Sequence, residues 1–342
     1  LHFQRRAYIL YAVEPVEARF YEKRDNRSVK CLLCPLDCVV RPAKKGICGI
    51  RSNTDGILYA TEYAKTIALS LDPIEKKPLY HFKPGSDIFS IGPNGCNFSC
   101  PFCQNWHISQ DRAPTRYLPP EELVKYARSH GSVGVSYTYT EPLIWYEYVY
   151  DSAVLLKKEG YATVIVSNGY INEKPARELF EYIDAANFDL KSIRPDFYRK
   201  ICKGKLADVQ RTIGIAKEMG VHVEITNLLI PGLNDADEDI DELADWIYGL
   251  DPSIVLHISR YFPNYKYERA ATPPERIRYA YETAKTKLKY VYTGNIGGIG
   301  EPYTKCLKCG AILVKRDFYN VEVVGLDGNR CANCGTVTDI IV

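Results

Sequence analysis

Between residues 87 and 292 short apolar runs alternate with amphipathic stretches, and this alternation restricts the fold of the 342-residue chain more than any other feature. Runs at 87–93, 134–140, 163–168, 186–191, 221–230 and 254–260 predict strands, with a short last one at 290–292. The stretches 121–130, 143–159, 173–182, 208–219, 237–248 and 274–287 predict the helices between them. Six strand–helix repeats imply a parallel sheet with crossover helices. They suit a partial (β/α)6 TIM-like barrel in the α/β class better than a closed eight-stranded one. Chemistry in such a barrel belongs at the carboxyl ends of the strands.

The loop after the first of these strands reads CNFSCPFC and carries Cys96, Cys100 and Cys103. Three thiolates on one tight loop can hold three corners of a 4Fe-4S cluster, and the loop has no fourth cysteine for the last iron. An iron left open can chelate the amino and carboxylate groups of S-adenosylmethionine (SAM) and pass an electron to its sulfonium, releasing a 5'-deoxyadenosyl radical. The competing reading is zinc, but zinc loops use two-cysteine knuckles and a closed set of four ligands, which this loop does not supply.

Eight more of the 12 cysteines fall into two further groups. Cys31, Cys34, Cys38 and Cys48 lie close enough in sequence to share one metal centre; spacing leaves zinc and a second iron–sulfur cluster both open. At the other end, Cys306-Leu-Lys-Cys309-Gly310 and Cys331-Ala-Asn-Cys334-Gly335 form two C-x2-C-G knuckles, a closed four-sulfur site of the zinc-ribbon or rubredoxin kind, for zinc or iron. Metal bound there is expected to support folding of the tail alone. Cys202 is left over and reads as a semi-buried structural thiol. The chain thus divides into a small Cys-rich N-terminal region with its connector (1–85), the barrel (86–300) and the tail (301–342). Residues 57–70 suggest a pair of strands, and 71–86 a Pro-rich connector into the barrel.

Polar residues recur where the predicted strands end: Thr140-Glu141-Pro142, Ser167-Asn168-Gly169 and Asp189-Leu190-Lys191. Taken singly each has an ordinary explanation, since Glu141-Pro142 can open a helix, Asn168-Gly169 can turn, and Asp189 can pair with Lys191 at the surface. Successive strand ends of one barrel would instead bring them to one rim. Bound SAM offers a cationic amine, ribose hydroxyls and an adenine edge, and these call for acidic and amide side chains there.

At these residues the chain resembles the radical SAM superfamily, whose signature is C-x3-C-x-aromatic-C. The resemblance puts Phe102 in the aromatic position beside the adenine and Glu141 in the place of the Gly-Gly-Glu stretch that receives the methionyl amine, with Tyr139-Thr140 standing where the family has glycines. Asn168-Gly169 and Asp189-Leu190-Lys191 look like the third- and fourth-strand motifs of pyruvate formate-lyase-activating enzymes, whose polar residues contact SAM. Leu228 in NLLIPG and His257 in LHISR align with further wall positions. The strings DPIEKKPLYHF, GCNFSCPFCQNWHISQ, SYTYTEP and YTGNIGG resemble one subgroup, the AmmeMemoRadiSam system enzymes, from about Cys31 to the C-terminus. The resemblance implies hydrogen abstraction from an undetermined substrate, with a protein as candidate, as in glycyl-radical activation. It also implies a ferredoxin- or flavodoxin-like reductant and, as candidate partners, the Memo-like and AMMECR-type proteins whose genes accompany the subgroup.

A formal net charge of +2, from 44 basic and 42 acidic residues, gives no global field for nucleic acid or an anionic membrane. No apolar run is long enough to cross a bilayer, and LHFQRRAYIL lacks a signal peptide's hydrophobic block, so a cytoplasmic, reducing setting is expected. The first residue is Leu1 and the single Met is Met219, so a natural start is expected outside this numbering. The rival class is a non-enzymatic scaffold with zinc in all three cysteine groups, presenting its middle to protein or nucleic acid; it has no use for Glu141, Asn168 and Asp189 on one rim.

Overall fold

The computed structural model describes residues 15–342, so the LHFQRRAYIL expectation lies outside the described residues. An eight-stranded sheet dominates, formed by β1 (Ala68–Pro73), β2 (Asp87–Gly92), β3 (Gly134–Tyr137), β4 (Ala162–Ser167), β5 (Ala185–Asp189), β6 (His222–Leu229), β7 (Val255–Arg260) and β8 (Val291–Gly294). Neighbours in space follow chain order. From β2 to β8 the pairing is parallel, while β1 runs antiparallel to β2 along one edge, and β8 is the other edge. The sheet is therefore an open α/β barrel of seven parallel strands and one reversed edge strand.

Six crossover helices join the parallel strands: α1 (Pro120–Ser129), α2 (Tyr146–Lys158), α3 (Glu173–Phe180), α4 (Leu206–Glu218), α5 (Asp237–Leu250) and α6 (Pro274–Lys285). Their ends follow from local chemistry. Asp237, Glu238 and Asp239 fill the first turn of α5, where carboxylates meet the positive end of the helix dipole, and Ile240, Leu243, Ala244 and Ile247 recur at helical spacing and are buried. Covered by helices outside and filled inside, the strands are buried on both faces, as all four residues of β3 are.

The stretch 57–70 holds three strand segments in place of the expected two, Ile57–Ala60, Lys65–Thr66 and the start of β1, and each pairs elsewhere. Ile57–Ala60 joins Arg51–Thr54 and Val16–Glu17 in a small antiparallel sheet, whereas β1 belongs to the barrel. A second antiparallel sheet links Tyr21–Lys23, Val29–Cys31 and Val39–Val40. Both pack onto the barrel through one continuous apolar core and a buried ion pair, Arg51 Nη2 to Glu147 Oε2 at 2.6 Å.

The Pro-rich connector 71–86 is partly buried. After β1 the chain crosses the amino ends of the strands and closes the barrel floor with buried Ile74, Leu79, His81 and Phe82. Glu224 on β6, fully buried, accepts from the backbone N–H of Tyr80 and His81 and lies 2.6 Å from Nε2 of His257. The tail is fastened to the same floor. Arg316 donates to Tyr80 O at 2.6 Å and to Thr304 Oγ1 at 2.7 Å, and Ile341 N donates to His81 O at 2.8 Å. The tail also has a small core of its own around Cys306, Leu313, Val314, Cys331 and Ile340.

This floor is expected to make the fold sensitive to acid. Burial lowers the pKa of His81 to about 3, outweighing the nearby Glu224 carboxylate, so below its ordinary value of 6.5 the unfolded chain binds a proton that the folded one refuses. Stability from this residue is full above about pH 6.5 and falls as pH drops, with a slope approaching 1.4 kcal/mol per pH unit. Denaturant unfolding at pH 7 and pH 5.5 should show the loss in wild type and a smaller one in His81→Gln.

Candidate active site

Where β2 ends, the chain leaves the sheet and folds the Cys96–Cys103 loop over the carboxyl ends of the strands. A cavity of about 220 Å³ opens beneath it, lined by Cys96, Cys100, Cys103 and Phe102 and, from the opposite strand ends, by Thr140, Glu141, Asn168, Asp189, Lys191 and Leu228. Residues far apart in sequence, from Cys96 to Asn295, thus meet because parallel strands all end on one side. Of the rim residues expected from sequence, His257 alone is not part of the lining. It lies one layer lower on β7, against Glu224, while Ser259, two residues on, reaches the cavity. Asn295, Thr226 and Asn105 also line it and carry no signal in the sequence.

Glu141 is almost fully buried and is held from three directions. Its Oε1 accepts from Leu143 N at 2.9 Å and Ser167 Oγ at 2.7 Å, and its Oε2 accepts from Asn168 N at 2.8 Å. It therefore caps the short helix Pro142–Trp145 and lines the cavity at once. Burial raises its pKa to about 7 despite those donors. Tyr139 ahead of it has φ 73°, a left-handed conformation that glycine adopts without strain. Its hydroxyl donates to Asp72 Oδ2 at 2.9 Å and its carbonyl accepts from Asn105 Nδ2 at 2.6 Å, which anchors a bulky residue in a glycine's backbone geometry.

Asn168 faces the cysteine loop. Its Nδ2 donates to Asn97 Oδ1 at 2.9 Å and lies 3.7 Å from Cys96 Sγ, while Asn97 Nδ2 donates to Tyr170 O at 2.8 Å. The end of β4 thereby clamps the loop. Lys191 Nζ is 3.0 Å from Asp189 Oδ2; burial opposes its charge, but Asp189 together with the sulfurs of Cys100 and Cys202 outweighs it and holds the ammonium's pKa well above the ordinary lysine value. Phe102 is buried, its ring centroid 6.1 Å from that of Phe197.

Burial pushes the Cys96 and Cys103 thiols up, and Cys100 is raised by a hydrogen bond with the sulfur of Cys202, with burial second. Cys202 is thus fully buried beside the loop, closer to the chemistry than its sequence context suggests. Thiols so placed become thiolates only beside compensating positive charge, which iron supplies; Phe98 N at 3.3 Å from Cys96 Sγ and Ser109 Oγ at 3.3 Å from Cys103 Sγ add donors to the sulfurs. The donor set fits an iron–sulfur cluster.

Two other cysteine groups lie apart from this cavity. In the tail, the sulfurs of Cys306, Cys309, Cys331 and Cys334 are all within 4.8 Å of one another, with Cys306 to Cys334 and Cys309 to Cys331 each 3.7 Å. Around one ion with metal–sulfur bonds of about 2.3 Å, tetrahedral sulfurs stand ~3.8 Å apart, so these four form a possible single-metal site. Cys31, Cys34, Cys38 and Cys48 line one small cavity with Arg51 and Ile144.

Comparison with known proteins agrees with the fold and the loop. The model of the Radical SAM superfamily matches residues 90–247. The chain is 42% identical over 334 residues to the uncharacterized protein MJ0808 of Methanocaldococcus jannaschii, covering 95% of this chain and 99% of that one. It is 30% identical over 165 residues to the pyruvate formate-lyase-activating enzyme of Clostridium pasteurianum, covering 45% of this chain and 66% of the relative. Among solved structures, a radical SAM methyltransferase from Sphaerobacter thermophilus superposes with a TM-score of 0.51 at 16% identity, covering 83% of this chain and 78% of that one, a likeness of fold. Enzymes of this kind typically use a 4Fe-4S cluster and SAM, and the reading of the chain as a non-enzymatic scaffold is set aside. The chain belongs to the radical SAM superfamily, as an enzyme related to the pyruvate formate-lyase-activating enzymes.

Proposed function

We propose that Cys96, Cys100 and Cys103 hold a 4Fe-4S cluster, that the cavity under their loop binds SAM, and that the enzyme abstracts hydrogen from a protein substrate. The observation that carries this reading is the convergence of the three thiols with Glu141, Asp189 and Lys191 on one cavity at the carboxyl ends of the strands. The bound cluster supplies the electron that converts SAM to a 5'-deoxyadenosyl radical. The chain's own residues bind and orient. Glu141 has one lone-pair site left on Oε2 for an N–H of the methionyl amine, Asp189 and Lys191 face the ribose and carboxylate, Phe102 and Leu228 flank the adenine, and Asn168 keeps the cysteine loop in register. His257 acts as part of the floor beneath this site.

A protein substrate is supported by the kinship to enzymes named for activating pyruvate formate-lyase. Membership of the AmmeMemoRadiSam subgroup belongs to the same proposal, with Memo-like and AMMECR-type proteins as the first substrates to test and a ferredoxin- or flavodoxin-like protein as reductant. Among the described residues no helix is long and apolar enough to cross a membrane. The test is anaerobic purification with iron and sulfide quantified, followed by reduction in the presence of SAM. Formation of 5'-deoxyadenosine is expected, and its absence from cluster-loaded protein would remove the assignment.

For the tail, zinc is proposed on Cys306, Cys309, Cys331 and Cys334, since the 3.7 Å sulfur contacts suit one tetrahedral ion. Cys309→Ser should lose about one zinc per chain and lower the thermal midpoint of the whole protein, because Arg316 and Ile341 join the tail to the floor. Elemental analysis beside a melting curve checks both; iron lost in place of zinc would reject the choice of metal.

A further inference from the structure

We propose that Cys31, Cys34, Cys38 and Cys48 hold a second 4Fe-4S cluster, and that it delivers electrons to the cluster on Cys96, Cys100 and Cys103. The four cysteines come from two separate turns, yet line a single enclosed cavity. Their spacing separates this site from the tail. Among the described residues, the tail's four cysteines are the one set of three or more cysteine, histidine or carboxylate ligand atoms within 4.8 Å of one another. A single zinc ion draws its sulfurs to ~3.8 Å, whereas a cubane takes each thiolate on a different iron and keeps them further apart. The wider N-terminal set suits the cubane.

Arg51 is the second, independent observation. It lines the same cavity, is 1% exposed, and is bound to Glu147 through Nη2, while its Nε and Nη1 have no hydrogen-bond partner. Buried guanidinium donors are rarely left unpaired, because each forfeits its water without replacement. A tetrathiolate cluster carries net negative charge and presents both sulfide and thiolate acceptors. Arg51 supplies donors and charge to that acceptor, and Glu147 holds it in place.

The route between the two centres is short. The carbonyl oxygen of Cys48 packs against Gly95, where an added Cβ would stand 2.3 Å from it, and Gly95 directly precedes Cys96. Gly95 also has φ 91°, so no other residue fits this crossing comfortably. On the other side, Asn172, just past the Asn168 clamp, donates from Nδ2 to Leu32 O at 2.8 Å, tying the Cys31–Cys34 turn to the end of β4. In the transfer, a low-potential ferredoxin- or flavodoxin-like protein gives one electron to the second cluster and is oxidised by one. The second cluster then gives one electron to the first, with no bond or proton change in either step. This role rests on the reading of the Cys96 loop given above; the presence of the second cluster does not.

The test uses the full chain, purified anaerobically. The triple variant Cys96→Ala, Cys100→Ala, Cys103→Ala should retain about four iron and four sulfide, and adding Cys34→Ser should remove them while the tail's metal stays. An iron-free triple variant, or iron that survives Cys34→Ser, overturns the second cluster. If the triple variant does not fold, wild-type stoichiometry decides: about eight iron supports the proposal, and about four iron with two zinc rejects it. Failure of the first reading looks different, since wild type and triple variant would then hold equal iron. For the relay, Cys34→Ser should lose SAM cleavage driven by a flavodoxin but keep cleavage driven by dithionite; undiminished cleavage with the flavodoxin rejects it.

Discussion

Replacing Cys96, Cys100 or Cys103 by alanine is expected to abolish 5'-deoxyadenosine formation altogether, while the barrel remains folded. Each thiol contributes one corner of a three-ligand site, and a site with three ligands has no spare thiolate to take over. Cys202 is the nearest substitute, but it lies in the π-helical turn Tyr198–Cys202 and is committed to Cys100 and, through its carbonyl, to Ser99 N. The fold should survive because the loop is held by side chains other than the cysteines. Asn97 bridges Asn168 and Tyr170, Gln110 Nε2 donates to Phe98 O at 3.0 Å, and Gly95 N donates to Ile108 O at 2.8 Å. Far-ultraviolet dichroism near that of wild type, together with no deoxyadenosine under dithionite, is the expected pair of results. Deoxyadenosine from any one of the three variants would count against the assignment.

The barrel was legible in the sequence because both of its periodicities are local. A strand buried on both faces is an unbroken apolar run, and a crossover helix is an amphipathic stretch of fixed period, so each of the seven parallel strands and six helices announces itself within a dozen residues. The rim was legible for a related reason, since residues just past successive parallel strands must share one side of the sheet. Height along a strand was not. His257 and Ser259 point to the same side of β7, but two residues of strand rise ~6.6 Å, enough to place one at the floor and the other at the rim. The floor was hidden for another reason. Prolines and charges in 71–86 are the marks of a surface connector, and nothing local says that Glu224, 143 residues from His81, will receive its backbone N–H. Tyr139 shows the limit of motif reading, because a tyrosine in left-handed backbone is tolerated only through Asp72 and Asn105, neither of them near it in sequence.

Glu141→Gln is expected to weaken SAM binding by about ten- to a hundred-fold while the cluster loads normally. A hydrogen bond from the methionyl amine to a charged carboxylate is worth ~1.5–3 kcal/mol, and the amide gives up the charge and, in one of its two orientations, the acceptor as well. The orientation is constrained. Leu143 N and Asn168 N both donate to Glu141, one to each oxygen, so whichever way the amide turns, its NH2 faces a backbone N–H. Oε1 also serves Ser167, whose hydroxyl can rotate to accept, so the better arrangement keeps the carbonyl toward Asn168 and the amine toward Ser167. A role confined to capping Pro142–Trp145 would instead lower the stability of the fold, since a buried backbone N–H loses its acceptor, and leave SAM affinity alone. The pH dependence separates the two. With its pKa raised to about 7 by burial, Glu141 must be ionised to receive the amine at full strength, so it adds to the loss of wild-type affinity for SAM as pH drops below 7, by at most tenfold per unit. The glutamine variant has no such proton to release. The methionyl amine titrates in both, so titrating SAM into wild type and variant at pH 6 and pH 8 should show a steeper loss of affinity toward pH 6 in the first than in the second; parallel curves of equal affinity would leave Glu141 a helix cap and nothing more.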